Sequence, residues 1–140
     1  PSILELIYRL KGPKKMGLIS DCIVAGGMKD GTYKLGMLEV KVKKGIARTA
    51  TDSLAGSTLT LEKAVNNLIT LAEIPMLEAV HMASLVPAEF LGVSDSLGSI
   101  TINKRACLTL TDNDFNVKAT LIDGKLVYGN ESLAELFSNL

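Results

Sequence analysis

The chain has 140 residues, of which 47% are hydrophobic, and its 15 basic residues are balanced by 15 acidic ones for a formal net charge of +0. This length and composition suit one ordinary globular domain with a core of its own. The balanced charge gives no basic footprint for nucleic acid and the apolar runs are too short to cross a bilayer, so we expect neither nucleic acid nor membrane as a partner.

The first predicted elements are a helix and a strand. Ser2-Ile3-Leu4-Glu5 has the form of a capping box, which predicts an amphipathic helix through about Leu10. Gly12-Pro13 ends that helix, and Met16–Ser20 is a short apolar run typical of a strand buried on both faces. The carboxylate of Asp21 then stands at the end of the predicted strand, where α/β proteins place their functional sites.

The middle of the chain predicts an antiparallel excursion followed by helices. From Thr32 to Thr49 apolar and charged residues alternate, which predicts a small β-hairpin over about residues 31–50 with one face in water. A polar loop then leads to a predicted helix over Leu61–Leu71 with Thr60 as its N-cap. Two further helices are predicted, from Pro75 to about Leu85 and from Pro87 to Gly92.

The last part of the chain predicts strands. Asp123-Gly124 is a typical two-residue hairpin turn, so the strands on either side of it are expected to pair. The final residues predict a terminal helix capped by Asn130. The predicted strands are Ser99–Ile102, Ala106–Thr111, Val117–Ile122 and Lys125–Tyr128.

One predicted strand has no obvious partner. Met16–Ser20 alone has the character of a parallel-sheet strand, and a lone buried strand would leave its backbone groups unpaired. Either the predicted hairpin joins it, or the rest of its sheet lies on polypeptide beyond these 140 residues. We favour the second interpretation. The first residue, Pro1, is not a methionine, which is also what processing or truncation would leave.

Three stretches of the chain carry a family resemblance: LISDC…AGG…DGTYKLGMLEVKVKKGIART…SLAGSTLTLEKAVNNLI, EAVHMASLVPAEFLGV and LGSITINKRACLTLTDNDFNVKATLIDGKLVY. Taken together they resemble the C-terminal part of the N-acetylglucosamine-6-phosphate deacetylases, a family of the amidohydrolase superfamily. The resemblance runs from Pro1 to about Tyr128. Its most specific portion is LAGSTLT, whereas MAS-x-x-PA and LGSI…K-R-A are shared with many amidohydrolases.

The resemblance implies an α/β fold, the C-terminal fragment of a metal-dependent (β/α)8 TIM-type barrel together with strands of a small β-sandwich. Residues 1–97 would then belong to the barrel, residues 98–129 to the sandwich and residues 130–140 to a terminal helix. The implied reaction is hydrolysis of the N-acetyl group of N-acetylglucosamine 6-phosphate, a small amino-sugar phosphate, to glucosamine 6-phosphate and acetate. The implied setting is amino-sugar catabolism in the cytoplasm.

The resemblance also implies roles for particular residues. Asp21 would lie at the end of the eighth barrel strand and act as general base on a metal-activated water, then as general acid toward the departing amine. Leu54, Ala55 and Gly56 match a loop that contacts the substrate, and a glycine there lets the backbone approach a ligand closely. The implied cofactor is a divalent metal, zinc or iron, with its ligands mostly outside this chain.

The remaining candidate ligands and nucleophiles are expected to be structural. His81 is the only histidine, and because such metal sites need three or more protein ligands, we expect it to be a surface or packing residue. We therefore assign no metal ligand to the chain and expect it to be inactive by itself. Cys22 and Cys107 lack CxxC spacing and are expected to be reduced packing residues of a cytoplasmic protein.

Two other interpretations stay open. In the first, the chain is a non-catalytic remnant or an oligomerisation module derived from an amidohydrolase. In the second, it is part of a different amidohydrolase, such as a dihydroorotase-like hydrolase, although LAGSTLT argues against this. Half a barrel leaves apolar strand edges exposed, so a chain that folds alone is expected to self-associate, most simply as a homodimer.

Overall fold

A computed structural model describes residues 2–130 of the chain. The predicted terminal helix, residues 130–140, lies outside the described residues except for Asn130. The chain divides into two compact units, one formed by Ile19–Ala64 and the other by the segments before and after it. The elements are α1 (Ser2–Lys11), β1 (Gly31–Leu35), β2 (Leu38–Lys43), β3 (Ile46–Thr49), α2 (Leu61–Ala72), α3 (Met76–Ala83), α4 (Leu85–Phe90), β4 (Leu108–Thr111), β5 (Val117–Ile122) and β6 (Lys125–Tyr128).

The unit Ile19–Ala64 is built on an antiparallel meander in the order β1-β2-β3. The alternating pattern that predicted a hairpin is confirmed, with a third strand added to it. Val40 and Val42 of β2 are buried while Lys41 and Lys43 between them face solvent, as a sheet with one wet face requires. The buried valines pack with Ala25 and Ala47 in the core of this unit.

The other unit has a helical core and a second antiparallel sheet. Side chains of α2, α3 and the turn between them form the core, centred on Leu68, Ile74 and Met82. The predicted helices are confirmed, but α4 begins two residues before Pro87. A proline is tolerated in the first turn of a helix, because the N–H that it lacks has no partner there in any case. Gly92, predicted to end this helix, has the positive φ of 69° that favours glycine.

Helix α1 is confirmed, and one polar contact joins it to α3. The Tyr8 hydroxyl donates to a carboxylate oxygen of Glu78 at 2.5 Å. This hydrogen bond to an acceptor carboxylate raises the pKa of Tyr8. None of the residues of α1 is buried, although most of them are apolar. The helix therefore covers little of its apolar surface within the described chain.

The second sheet runs β4-β5-β6 and confirms three of the four predicted strands. Asp123 and Gly124, with φ of 51° and 77°, form the predicted tight turn between β5 and β6. Arg105, which precedes β4 in the chain, donates to both carboxylate oxygens of Asp123, at 2.6 and 2.8 Å, and these hydrogen bonds stabilise the turn. Cys107, expected to be a packing residue, is exposed just before β4.

The predicted strand Ser99–Ile102 is wrong, since this segment is a loop closed on itself. The backbone N–H of Lys104 donates to the carbonyl of Thr101 at 3.1 Å, and its ammonium group donates to the Ser99 hydroxyl at 2.7 Å. Alternating apolar residues suggested a strand, but both isoleucines of the segment are exposed and no strand within residues 2–130 pairs with it. A strand needs a partner, which local pattern cannot supply.

The prediction of a strand over Met16–Ser20 also fails within the described residues. The N–H of Leu18 donates to the carbonyl of Met82 at 2.7 Å, and the segment makes no strand ladder within residues 2–130. Met16 and Leu18 pack against the helical core, whereas Ile19 is 74% exposed. The segment thus has one covered face and one open face.

Candidate functional site

The unit Ile19–Ala64 contains a cleft of about 440 Å³, within the size range of small-molecule sites. Strands β2 and β3 and the loop leading into α2 line it. Gly56 keeps the backbone open to the cleft, and Ser57, Thr58 and Lys63 give it two hydroxyl groups and one cation. Its apolar lining consists of Met28, Val42, Ile46, Ala47 and Leu59. A cleft of this kind suits a small polar molecule with some apolar surface.

A tight turn forms one rim of the cleft, and hydrogen bonds with Asp30 and Thr58 stabilise it. Lys44 and Gly45, with φ of 53° and 71°, form the turn between β2 and β3. The Asp30 carboxylate accepts the N–H of Lys44 at 2.6 Å and that of Gly45 at 3.2 Å. These two N–H groups favour the ionised carboxyl and lower the pKa of Asp30. The Thr58 hydroxyl donates to the Gly45 carbonyl, so the turn is tied to the loop before α2.

Asp21, the predicted catalytic residue, is exposed and has an unusual backbone conformation. Its φ of +47° lies in the left-handed region, which costs a non-glycine residue about 1–2 kcal/mol and which Asp tolerates better than most. No hydrogen bond or ion pair engages its carboxylate within residues 2–130. Strained backbones cluster at functional sites, but six other non-glycine residues among residues 2–130 also have a positive φ, so the conformation alone does not single out Asp21.

The residues after Asp21 tie it to the loop before α2. Cys22 and Ser57 form an isolated parallel bridge, in which the N–H of Ile23 donates to the Ser57 carbonyl at 2.9 Å. The side chain of Ile23 also lies directly on Gly56. Asp21, one residue before this bridge, therefore lies beside the loop.

The three predicted substrate-contacting residues lie in that loop in different environments. Leu54 is 72% exposed, whereas Ala55 is half-buried and its N–H donates to the Ala47 carbonyl at 3.0 Å. Gly56 has a φ of +114°, and a Cβ at this position would lie 2.5 Å from the Ile23 Cγ2. Only glycine fits both requirements. Of the three, Gly56 lines the cleft.

Comparison with known proteins agrees with the predicted resemblance. The sequence profile of the Amidohydrolase family matches residues 35–127, about two thirds of the chain. The chain belongs to the amidohydrolase family. The fold is mixed α/β with small antiparallel sheets, and the similar solved structures include N-acetylglucosamine-6-phosphate deacetylases.

The similar proteins reported below are named as deacetylases of N-acetylated amino-sugar 6-phosphates. The chain is 39% identical to the N-acetylglucosamine-6-phosphate deacetylase of Vibrio furnissii over 128 residues, 91% of this chain and 32% of that protein. It is 43% identical to the putative N-acetylgalactosamine-6-phosphate deacetylase of Escherichia coli K12 over 113 residues, 81% of this chain and 68% of that protein. The crystal structure of the N-acetylglucosamine-6-phosphate deacetylase from Pasteurella multocida matches with a TM-score of 0.86 at 30% identity, over 92% of this chain and 34% of that one.

This amidohydrolase chain therefore spans about a third of the Vibrio relative and of the solved Pasteurella enzyme. The recognition of a deacetylase-like fragment is confirmed. The Escherichia coli K12 relative is shorter, so the chain accounts for most of it.

Amidohydrolases typically use a divalent metal, and the described residues do not form a complete site for one. Within residues 2–130 no group of three or more His, Cys, Asp or Glu side chains lies close enough to hold an ion. His81 is half-buried on α3, as a surface or packing residue would be. Because zinc and iron sites need three or more protein ligands, the described residues do not fit the group by themselves.

Sequence reasoning missed part of this candidate site and misplaced one residue. The cleft residues Ser57, Thr58 and Lys63 follow Gly56 in the GSTLTLEK segment, and that proximity was the only available signal. Cys22 was predicted to be a core residue but is exposed. Its sulfur instead lies over Gly26, where a Cβ would come within 2.0 Å of it.

Proposed function

We propose that this chain is the C-terminal part of an amidohydrolase that removes the N-acetyl group of an amino-sugar 6-phosphate and releases acetate. One observation carries the proposal: the free carboxylate of Asp21 is held next to the Leu54–Gly56 loop by Ile23 and Ser57. The names of the relatives support the reaction. We further propose that residues 1–97 belong to a (β/α)8 barrel, residues 98–129 to a β-sandwich and residues 130–140 to a terminal helix.

In the proposed mechanism Asp21 transfers a proton from the attacking water to the leaving amine. Amide hydrolysis requires that the attacking water lose a proton and that the leaving amine gain one, since an amine anion leaves poorly. A carboxylate exposed to the substrate can accept the first proton and return it to the nitrogen. The carboxylate of Asp21 suits both steps because no other side chain in the described residues occupies it.

The Leu54–Gly56 loop is proposed to contact the sugar. Its exposed leucine offers an apolar surface and the glycine backbone leaves room beside the cleft. Lys63 adds a positive charge to the same cleft, which favours a phosphorylated substrate.

Two sugars are candidates for the substrate. We favour N-acetylglucosamine 6-phosphate, because that sugar appears in the names of most of the similar proteins. N-acetylgalactosamine 6-phosphate is the second candidate, since the relatives named for it share 43% identity with this chain, against 39% for the Vibrio furnissii enzyme. The two sugars differ only in the configuration at one hydroxyl group, so direct assay with both separates them.

The metal, the compartment and the assembly belong to the same proposal. We propose that the ligands of a zinc or iron ion lie on polypeptide outside residues 2–130, so that the chain alone is inactive.

Two unpaired, exposed cysteines support a reducing compartment such as the cytoplasm. No helix within residues 2–130 is long and apolar enough to cross a membrane. For the isolated chain we propose a homodimer, held by its exposed apolar side chains.

The test is a chimera in which this chain replaces the matched residues of the Vibrio furnissii deacetylase. Acetate release is measured with both sugar phosphates. We expect activity that Asp21→Asn abolishes, while Asp95→Asn, a change at an exposed carboxylate that does not line the cleft, retains it. A folded chimera without activity would favour the non-catalytic remnant instead. Turnover by the isolated chain with added zinc or iron would contradict the need for outside ligands.

A further inference from the structure

The cleft in the unit Ile19–Ala64 has two walls that belong to different parts of the chain. One wall includes the turn between β2 and β3, formed by Lys44 and Gly45, and the other includes the loop before α2. Neither wall is a long element of secondary structure, since β3 has four residues and the loop contains isolated bridges only. The width of the cleft therefore depends on the contacts that join these walls.

One hydrogen bond joins the loop to the turn. The Thr58 hydroxyl donates to the Gly45 carbonyl, and both residues line the cleft. Within residues 2–130 no other hydrogen bond connects this loop to Lys44 or Gly45. The N–H of Gly45 donates to the Asp30 carboxylate at 3.2 Å, so side chains hold both backbone polar groups of this glycine. Removing the Thr58 hydroxyl would release the carbonyl and leave the N–H held.

Thr58 lies between two groups that are proposed to contact the substrate. Gly56 precedes it by two residues and Lys63 follows it by five, and both line the cleft. A backbone hydrogen bond ties the same loop to the segment after Asp21, since the N–H of Ile23 donates to the Ser57 carbonyl at 2.9 Å. Substituting the Thr58 side chain leaves that backbone bond in place. Such a variant therefore separates the link to the turn from the link to the Asp21 segment.

We propose that Thr58 is a positioning residue: its hydrogen bond to Gly45 holds the turn against the loop before α2 and keeps the cleft preformed for an amino-sugar 6-phosphate. The proposal rests on the proposed function. Walls that are fixed before the ligand arrives need not be ordered on binding, which lowers the free-energy cost of association. Proton transfer is assigned to Asp21, so loss of the Thr58 hydroxyl should weaken substrate binding and leave the chemical step unchanged.

The experiment uses the chimera of this chain with the Vibrio furnissii deacetylase and compares two substitutions of Thr58. Thr58→Val removes the hydroxyl and keeps the branched shape, whereas Thr58→Ser keeps the hydroxyl. For the better substrate of the two sugar phosphates, we expect Thr58→Val to raise KM about three- to tenfold, the range that one lost hydrogen bond accounts for. The value of kcat should stay within about twofold, and Thr58→Ser should restore the original KM.

The matched control is Thr32→Val, at an exposed threonine of β1 in the same unit that does not line the cleft. This change should leave KM unchanged. If Thr58 contributed to stability alone, Thr58→Val would lower the melting temperature and leave KM unchanged, and that result overturns the proposal. So does a KM for Thr58→Ser as high as that for Thr58→Val, because the hydroxyl would then be irrelevant.

Hydrogen–deuterium exchange measures the contact with Gly45 itself. Loss of the hydrogen bond should speed amide exchange in the peptide that covers Lys44 and Gly45, because local opening of the turn becomes less costly. Thr58→Ser should exchange there at the original rate. A raised KM without faster exchange in this peptide overturns the assignment of the effect to Gly45.

Binding and turnover are measured separately, so that the two proposals can fail independently. Calorimetric titration of the Asp21→Asn chimera with each sugar phosphate gives a Kd without turnover. If Thr58→Val weakens binding and Thr58→Ser restores it in a chimera that releases no acetate, the positioning role is supported and the proposed reaction is contradicted. An active chimera in which Thr58→Val changes neither Kd nor KM does the reverse. A folded chimera that binds neither sugar phosphate contradicts both.

Discussion

Replacing Gly56 by alanine tests the contact that links the residues after Asp21 to the Leu54–Gly56 loop. The backbone of Gly56 has a φ of +114°, a region that costs other residues about 1–3 kcal/mol. The new Cβ would lie 2.5 Å from the Ile23 Cγ2, whereas carbon atoms pack best at about 3.5–4.0 Å. Relieving an overlap of this kind costs about 1–3 kcal/mol. We therefore expect Gly56→Ala to lower the free energy of unfolding by about 2–6 kcal/mol.

Urea unfolding, followed by far-UV circular dichroism, measures this loss. The control is Gly36→Ala, in the same unit, where φ is +59° and no atom lies within 4 Å of the new Cβ. That change should cost about 1–2 kcal/mol, because it adds only the left-handed conformation of alanine. In an Ile23→Ala background the overlap disappears, so Gly56→Ala should cost less there by about 1 kcal/mol or more. Equal losses for the two glycines, or no coupling to Ile23, would refute the reasoning.

Three further outcomes follow from named contacts. Two backbone N–H groups lower the pKa of Asp30, so the stabilisation from its ionised carboxylate is present above about pH 4, the unfolded pKa, and is lost as pH falls. Asp30→Asn should therefore destabilise the chain at pH 7 and reduce the change in its urea midpoint between pH 6 and pH 3. The control Glu39→Gln should leave that pH dependence unchanged. Gly26→Ala should displace the Cys22 sulfur and raise its labelling rate with a thiol reagent, with Cys107 as the internal reference; an unchanged ratio of rates would contradict the packing described. Arg105→Gln removes a bidentate ion pair with Asp123 and should lower the melting temperature more at low than at high salt; no salt dependence would mean that the pair contributes nothing.

Where the sequence pattern is set by neighbours close in the chain, the predictions succeeded. Alternation in β2 and the Asp123-Gly124 turn are local features, and each specified a pairing that a short loop makes unavoidable. Helices α2 and α3 were likewise predicted from periodicity and from signals at their ends. Boundaries were less certain, as the early start of α4 before Pro87 illustrates.

The failures share a physical cause. Met16–Ser20 and Ser99–Ile102 both have strand-like composition, but a strand exists only if another strand accepts its hydrogen bonds. In Ser99–Ile102 the side chain of Lys104 closes the segment into a loop instead. In Met16–Ser20 nothing within residues 2–130 takes the place of the missing neighbour on the open face.

The candidate site was predicted in part for a similar reason. Asp21 and Leu54–Gly56 were assigned from a resemblance, and the structure brings them close through Ile23 and Ser57, which no local pattern singled out. That connection spans more than thirty residues of chain. Burial of Cys22 was predicted from the expected strand, so it failed together with the strand.

The exposed carboxylate, the exposed cysteine and the open strand face lie within one run of seven residues, Met16–Cys22. The errors next to the proposed catalytic residue indicate that the sequence of this stretch suits an environment that residues 2–130 only partly provide. A left-handed aspartate costs about 1–2 kcal/mol wherever it lies, and surrounding structure must hold it in place. Here the Cys22–Ser57 bridge holds it within the unit Ile19–Ala64.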